Sequence, residues 1–362
     1  TFVRFDGGGE SGMNPDHLKE LLTQNARVWR CRSFAISEDT AKPRTVHRSA
    51  LHQSHGQDRT RQRRHRSPRM RFPWKHQQKP EPSKFRLLPF DPVAGRITFG
   101  LLEDGSPASI IIRNQSGVVV GGRPGSGKTA GMMIIVLALY LSGQVNLHII
   151  DGKGGDDWTW AENAATTFIR DDIDLVHEAI LNLNRDMKSR TASMRANYGE
   201  SNFWNLPPDK RPPLEVIIVD ECQTYFDPKG VTSDDGRPVK ELRDLAQDIT
   251  GAATNIVRKG RSAGYLLFAI TQKPTTDCLP SQLRDNCGAR ICFQISTPEA
   301  ARAVLGNLPD GSPSPLDIPT SRPGGAVIGL DNGQAAMCRF AYISENDAMT
   351  AIDAIANNKP VV

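Results

Sequence analysis

From Gly117 onward the chain alternates between short runs of consecutive apolar residues and longer segments with helical patterning. The runs are "GVVV" (117–120), "VNLHIID" (145–151), "LEVIIVD" (214–220), "YLLFAIT" (265–271) and "ARICFQI" (289–295). Strands built from consecutive Val, Ile, Leu and Phe, rather than from alternating polar and apolar residues, are expected where both faces of a sheet are covered. Between them the patterning predicts helices from Thr129 to about Leu141, from about Asp172 to Asn197, from about Val239 to Lys259, a short one near Leu279 to Asp285, and one from Pro298. A β-rich lead-in, "RITFGLLEDGSPASIII", precedes the first core strand. The alternation is that of an α/β protein with a mostly parallel central sheet flanked by helices on both faces.

Charge divides the chain into three parts. Its formal net charge is +5, yet Thr40 to Arg86 holds 14 Lys/Arg against two acids, which leaves residues 1–39 at −1 and residues 87–362 at −6. The expected organisation is an N-terminal piece of unclear fold (1–39), a basic low-complexity linker (40–86) and a compact acidic domain (87–362). A tract such as "RTRQRRHRSPRMR" has too little apolar surface to offset chain entropy and is expected to be disordered. It is either a tether to phosphate backbones, which releases counterions without sequence preference, or a plain solvated linker or mis-called start. Its five histidines, His47, His52, His55, His65 and His76, have no rigid frame to give them ligand geometry.

Other classes are disfavoured. The six cysteines form no CxxC pair and read as reduced thiols, and no Ser/His/Asp or Cys/His arrangement points to another kind of hydrolase. The longest apolar run, Met132 to Leu141, is about half of the roughly 20 residues that cross a bilayer, so no membrane span is expected. The chain opens without a signal peptide and without an initiator methionine, and it is read as a cytoplasmic fragment, with membrane association left to partners or to a missing N-terminal anchor.

The sharpest signal is "GGRPGSGKTAGM". Gly122 to Thr129 fits G-x-x-x-x-G-K-[ST], between a strand and a helix. Glycines at 122, 125 and 127 let successive N–H groups converge as an anion nest around Arg123, Pro124 and Ser126, and Lys128 supplies charge for the β and γ phosphates. Thr129 opens the helix, followed by Ala130, so that its hydroxyl can hold Mg²⁺ while the helix N-terminus faces the phosphates of ATP. A second signal is "LEVIIVDECQTYF", in which a strand ends in Asp220 and Glu221 at the carboxyl edge of the sheet, where open α/β sheets bind ligands. Asp220 suits Mg²⁺ binding through water, and Glu221 suits orienting an attacking water. A paired acid of this kind points to hydrolysis rather than to transfer onto a second substrate.

Together with "IIDGKGGDDW", "IVRKGRSAGYLLFAITQKPT" and "LRDNCGARICFQIST", these blocks resemble the FtsK/SpoIIIE-type DNA translocases, including plasmid-transfer members of Tra type, from about Asp91 to Ser344. Two departures are Gly152, where the family usually has proline, and "TQKP" in place of "TQRP". The resemblance implies a RecA-like P-loop NTPase that assembles as a homo-oligomeric, hexameric ring, uses ATP and Mg²⁺, and moves double-stranded DNA in plasmid conjugal transfer or chromosome segregation. It further implies that Arg261, supported by Arg258 and Lys259, reaches a neighbour's γ-phosphate, and that Gln272 beside Thr271 senses the γ-phosphate within its own subunit. The plainer alternatives are a helix-end role for Arg261 and a structural amide at Gln272. Asp151 and Lys153 lie at the same sheet edge, with a nucleotide-proximal or ring-contact role. The alternatives at the level of function are a type VII secretion-like protein-export ATPase and a non-catalytic basic nucleic-acid-binding protein.

Overall fold

A computed structural model describes residues 88–233, 236–275, 278–330 and 333–356. The N-terminal piece, the basic tract with its five histidines, and Cys31 lie outside the described residues.

Ten strands form one sheet: β1 (Arg96–Leu102), β2 (Pro107–Ile111), β3 (Gly117–Gly121), β4 (Val145–Asp151), β5 (Thr167–Arg170), β6 (Leu214–Asp220), β7 (Tyr265–Thr271), β8 (Ala289–Phe293), β9 (Gly325–Gly329) and β10 (Ala335–Phe340). Their spatial order is β2-β1-β10-β9-β8-β3-β7-β6-β4-β5. The half from β8 to β5 is parallel, and β9, β10, β1 and β2 extend it antiparallel. The described helices are α1 (Lys128–Leu141), α2 (Ile173–Tyr198), α3 (Gln223–Phe226), α4 (Val239–Lys259), α5 (Ser281–Arg284), α6 (Pro298–Leu305) and α7 (Glu345–Ala356).

The consecutive apolar residues of the central strands serve two cores. Val118 and Val120 of β3 enter one cluster with α1, Ile218 and Phe268, while Val119 enters the other with Ile217, Val219, Ile180 of α2 and Ile256 of α4. Each fully buried Val, Leu or Ile side chain stabilises the fold by roughly 1.5–3 kcal/mol. Helix α1 is buried along nearly its whole length, so it lacks a polar face. Helix α2 begins where the Asp172 side chain accepts from the Asp174 and Leu175 amides, at 3.1 and 3.0 Å, and it stops at the left-handed Gly199. Helix α4 exposes one side of an amphipathic pattern and packs on α2 with the other.

Of the antiparallel half, the β-rich lead-in holds β1 and β2, whereas β9 and β10 were not drawn in the sequence pattern, since β10 pairs back onto β1 from a distant part of the sequence and β9 joins it to β8. Strand β5 is only four residues long and likewise lacks a distinctive run. In the parallel half, Gly121, Thr271 and Cys292 are register partners, as are Asp151 and Asp220. The carboxyl ends of β3, β4, β6, β7 and β8 therefore share one edge of the sheet, and the loops that carry the chemistry meet there.

Candidate functional site at the carboxyl edge of the sheet

The loop after β3 turns through left-handed conformations at Gly125 (φ 72°) and Gly127 (φ 91°) before α1 begins. At Gly127 there is no room for a side chain either, since a Cβ would lie 2.5 Å from the Gly324 amide nitrogen. Two hydrogen bonds fix the loop from behind: Arg123 N–H donates to Gln294 O at 3.0 Å, and Gly324 N–H donates to Ser126 O at 2.9 Å. The Ser126 hydroxyl is buried without a partner. Lys128 is 5% exposed and has no hydrogen bond or ion pair among the described residues. Burial pushes its ammonium pKa down, and the charges of Glu221 and Asp220 pull it back up. Thr129 is half-buried, and its hydroxyl is likewise free of protein partners.

Asp220 closes β6 and is 3% exposed. Its Oδ2 accepts from the Trp158 indole N–H at 2.7 Å, and its Oδ1 accepts from the Glu221 N–H at 3.0 Å. Burial pushes its pKa up to about 6, with the Glu221 charge adding to the rise and the Trp158 hydrogen bond and Lys128 opposing it. Glu221 adopts a left-handed backbone, φ 47°, which is costly for a side chain of this kind and is characteristic of sites where geometry is imposed. Both of its carboxylate oxygens are held by amides. Gln223 Nε2 donates to Oε2 at 2.6 Å, and Gln272 Nε2 donates to Oε1. Gln223 in turn accepts from the Thr271 hydroxyl at 2.7 Å.

Among the described residues no group of three or more His, Cys, Asp or Glu forms a metal cage. A Mg²⁺ ion bound with substrate phosphates keeps most of its waters and takes only one or two protein groups. The free Thr129 hydroxyl and the fixed Asp220 carboxylate are suitable donors.

The sequence profile of the FtsK/SpoIIIE family matches residues 88–201, the segment that holds this loop. The DNA translocase FtsK of Staphylococcus epidermidis is 23% identical over 297 residues, 77% of this chain and 33% of the relative. The chain thus spans about a third of the length of the curated relatives it matches. Among solved structures, the pCW3 conjugation coupling protein TcpA, determined as a monomer with ATPγS, aligns at TM-score 0.60 and 20% identity over 76% of this chain and 75% of that one. The cytoplasmic domain of the type VII secretion ATPase EccC of Thermomonospora curvata aligns at 0.57 and 21% identity over 76% of this chain and 33% of that one. Both likenesses show a shared fold.

The fold gathers the loop 122–130, Asp220, Glu221 and Gln272 at one edge. Asp151 and Lys153 are there too. Asp151 is fully buried, its Oδ1 accepts from Lys153 N–H at 2.9 Å and its Oδ2 has no partner, so burial raises its pKa. Lys153 instead pairs with Asp157 at 2.6 Å on the surface. Gly152 donates its N–H to Asp220 O at 3.0 Å, and a Cβ there would sit 2.9 Å from the carbonyl oxygens of both Asp220 and Glu221. The proline usual in the family would lose that bond. Arg261 is not gathered with the rest. It lies in a 3₁₀ turn, Gly260–Ala263, at the amino end of β7, so the length of that strand, about 20 Å, separates it from Gln272 and its own P-loop.

Sequence reasoning missed Trp158, Gln223 and the backing segment around Gly324. The first two stand beside flagged residues in "GGDDW" and "DECQT", but their roles arise only from tertiary contacts. Among the described residues no helix is long and apolar enough to cross a membrane.

Proposed function

We propose that this chain is an ATP-hydrolysing motor domain that moves double-stranded DNA as part of a homo-oligomeric, hexameric ring. The observation that carries the reading is the buried, unpaired Lys128 ammonium at the end of a glycine-turned loop, under the influence of two buried carboxylates. A cation so placed is costly alone and is matched by a polyanion. In this reading the loop 122–130 holds the triphosphate, Thr129 and Asp220 hold Mg²⁺, and the ion supplies charge neutralisation across the phosphates. Glu221 orients and polarises water, its carboxylate fixed by Gln223 and Gln272. Gln272 links that carboxylate to the strand end where the γ-phosphate would lie. Arg261, remote from its own P-loop, serves a neighbouring subunit.

DNA as the cargo is supported by the family and by relatives bearing the name DNA translocase. The setting proposed is plasmid conjugal transfer or chromosome segregation, in the cytoplasm or held at a membrane by partners. The deciding measurement is steady-state ATPase with long duplex DNA, single-stranded DNA and unfolded polypeptide. Stimulation by duplex DNA is expected. Stimulation by polypeptide alone would replace the reading with protein export, and no turnover under any condition would make the domain a nucleotide-binding module.

A further inference from the structure

At the edge of the sheet opposite the P-loop, Arg258, Lys259 and Arg261 are all exposed, and none has a hydrogen bond or ion pair among the described residues. The turn that presents Arg261 is itself held from below by a buried polar cluster. Arg190 of α2 donates through Nη1 to Ala263 O at 3.3 Å and to Pro213 O at 3.0 Å, and through Nη2 to Glu215 Oε1 at 2.5 Å. Its guanidinium lies over the Tyr265 ring, 4.8 Å from the centroid. Glu215, 6% exposed, also accepts from Asn146 Nδ2 at 3.2 Å, and its Oε2 faces His148 Nε2 at 2.9 Å. His148 Nδ1 meets the Thr167 hydroxyl at 3.1 Å, and the Glu215 N–H donates to Gly264 O at 2.9 Å. Burial raises the Glu215 pKa, and the hydrogen bonds from His148 and Arg190 outweigh that, holding it below its usual value.

An ion pair such as this, with a buried carboxylate and a half-buried guanidinium, adds little net stability compared with apolar packing, and its best-attested use is to fix one geometry among several. Here the geometry that is fixed is specific. The planar fork of Arg190 simultaneously grips the carbonyl two residues after Arg261, the residue that leads into β6, and a carboxylate on β6 itself, while stacking on the first residue of β7. Strand β6 carries Glu215 at this edge and Asp220 at the other, so one strand joins the arginine turn to the nucleotide edge.

We propose that Arg190 is a positioning residue for Arg261, its guanidinium anchoring the Gly260–Ala263 turn to Glu215 so that Arg261 is aimed at a neighbouring subunit's nucleotide. This rests on the reading of Arg261 as a group that acts between subunits. Arg190 touches no substrate; its effect is exerted on the neighbour's site and not on its own.

The test uses the full chain with duplex DNA and compares Arg261→Ala, Arg190→Lys, Arg190→Ala and the Arg190→Lys/Arg261→Ala double variant, each alone and mixed with Lys128→Ala. Arg190→Lys keeps the charge and loses the fork, so it guards against a failure to fold in Arg190→Ala. For Arg190→Lys the expected result is an unchanged KM for ATP, a kcat lower by roughly 10- to 100-fold, as small displacements of a reacting group cause, and no further loss in the double variant. Mixing with Lys128→Ala should restore turnover, because some interfaces then join an intact P-loop to an intact arginine turn. Wild-type turnover in Arg190→Lys, losses that multiply in the double variant, or no recovery on mixing would each overturn the proposal. Recovery by Arg261→Ala but not by Arg190→Lys would sink the role of Arg190 alone. No recovery by Arg261→Ala, with subunits shown to exchange, would remove the underlying reading of Arg261.

Discussion

Lys128, Asp220 and Glu221 are ionisable groups that the fold keeps almost wholly from water, and the site is built to be completed by charge. Lys128→Ala should abolish nucleotide binding, read by titration with a fluorescent ATP analogue. Glu221→Gln should bind ATP and lose turnover by roughly 10²-fold or more, since the amide keeps the shape but cannot polarise water; loss of binding as well would count against its assigned role. Asp220 makes a separate prediction from its raised pKa, about 6. A carboxyl whose folded pKa exceeds its unfolded value binds its proton more tightly in the folded state. That stabilisation is fully present below the unfolded value and lost as pH rises through about 6. Asp220→Asn should therefore melt higher than wild type at pH 8 without nucleotide, by up to about 2–3 kcal/mol, with the gap closing below pH 6. The same variant should fail to hydrolyse ATP. The P-loop and the acidic pair were legible in the sequence because each is a local pattern at the end of a strand. Trp158 and Gln223 were not, because an indole 62 positions from its carboxylate partner and an amide bridging two strand ends become neighbours only through the sheet.

At the scale of elements, runs such as "LEVIIVD" announced their strands because burial on both faces admits only apolar residues there. The same reasoning could not place β9 and β10. Strand β9 is a short buried run between glycines and β10 is partly exposed, and what places them is their pairing, β9 between β8 and β10, and β10 onto β1 from the other end of the domain. Helix α4 was legible from end to end because its apolar stripe is strong and glycine closes it. The join between β4 and β6 is the element contact on which the site most depends, and Gly152 is its tightest point. Gly152→Ala should press on the carbonyls of Asp220 and Glu221, lowering stability by about 1–3 kcal/mol and reducing kcat more than nucleotide affinity. Denaturant melts combined with ATPase assays would check it; an unaltered kcat would mean the carboxylates do not depend on that contact.

For the molecule as a whole, charge and topology set the expectations. The part from residue 87 onward is net acidic, so any surface that grips DNA within it must come from local arrangement rather than bulk charge. Deleting residues 40–86 should weaken duplex affinity and flatten its salt dependence, each lost phosphate contact reducing the log–log slope by roughly 0.9, while ATPase at saturating DNA survives. Equal slopes with and without the tract, measured by anisotropy across a salt series, would leave it a linker. The order of strands bears on how the domain is made. Both lateral neighbours of β3, β7 and β8, are encoded far downstream of β3 and the P-loop, and β10 must arrive before β1 is paired on both sides. A nascent chain halted before Ala289 therefore has the loop and β7 but lacks β8, Gln294 and Gly324, which hold the loop from its other side, and it should fail to retain nucleotide. The site is thus expected to close only once the last strands of the sheet have been made, and the interval between the loop and those strands is its period of greatest exposure to chaperones and proteases.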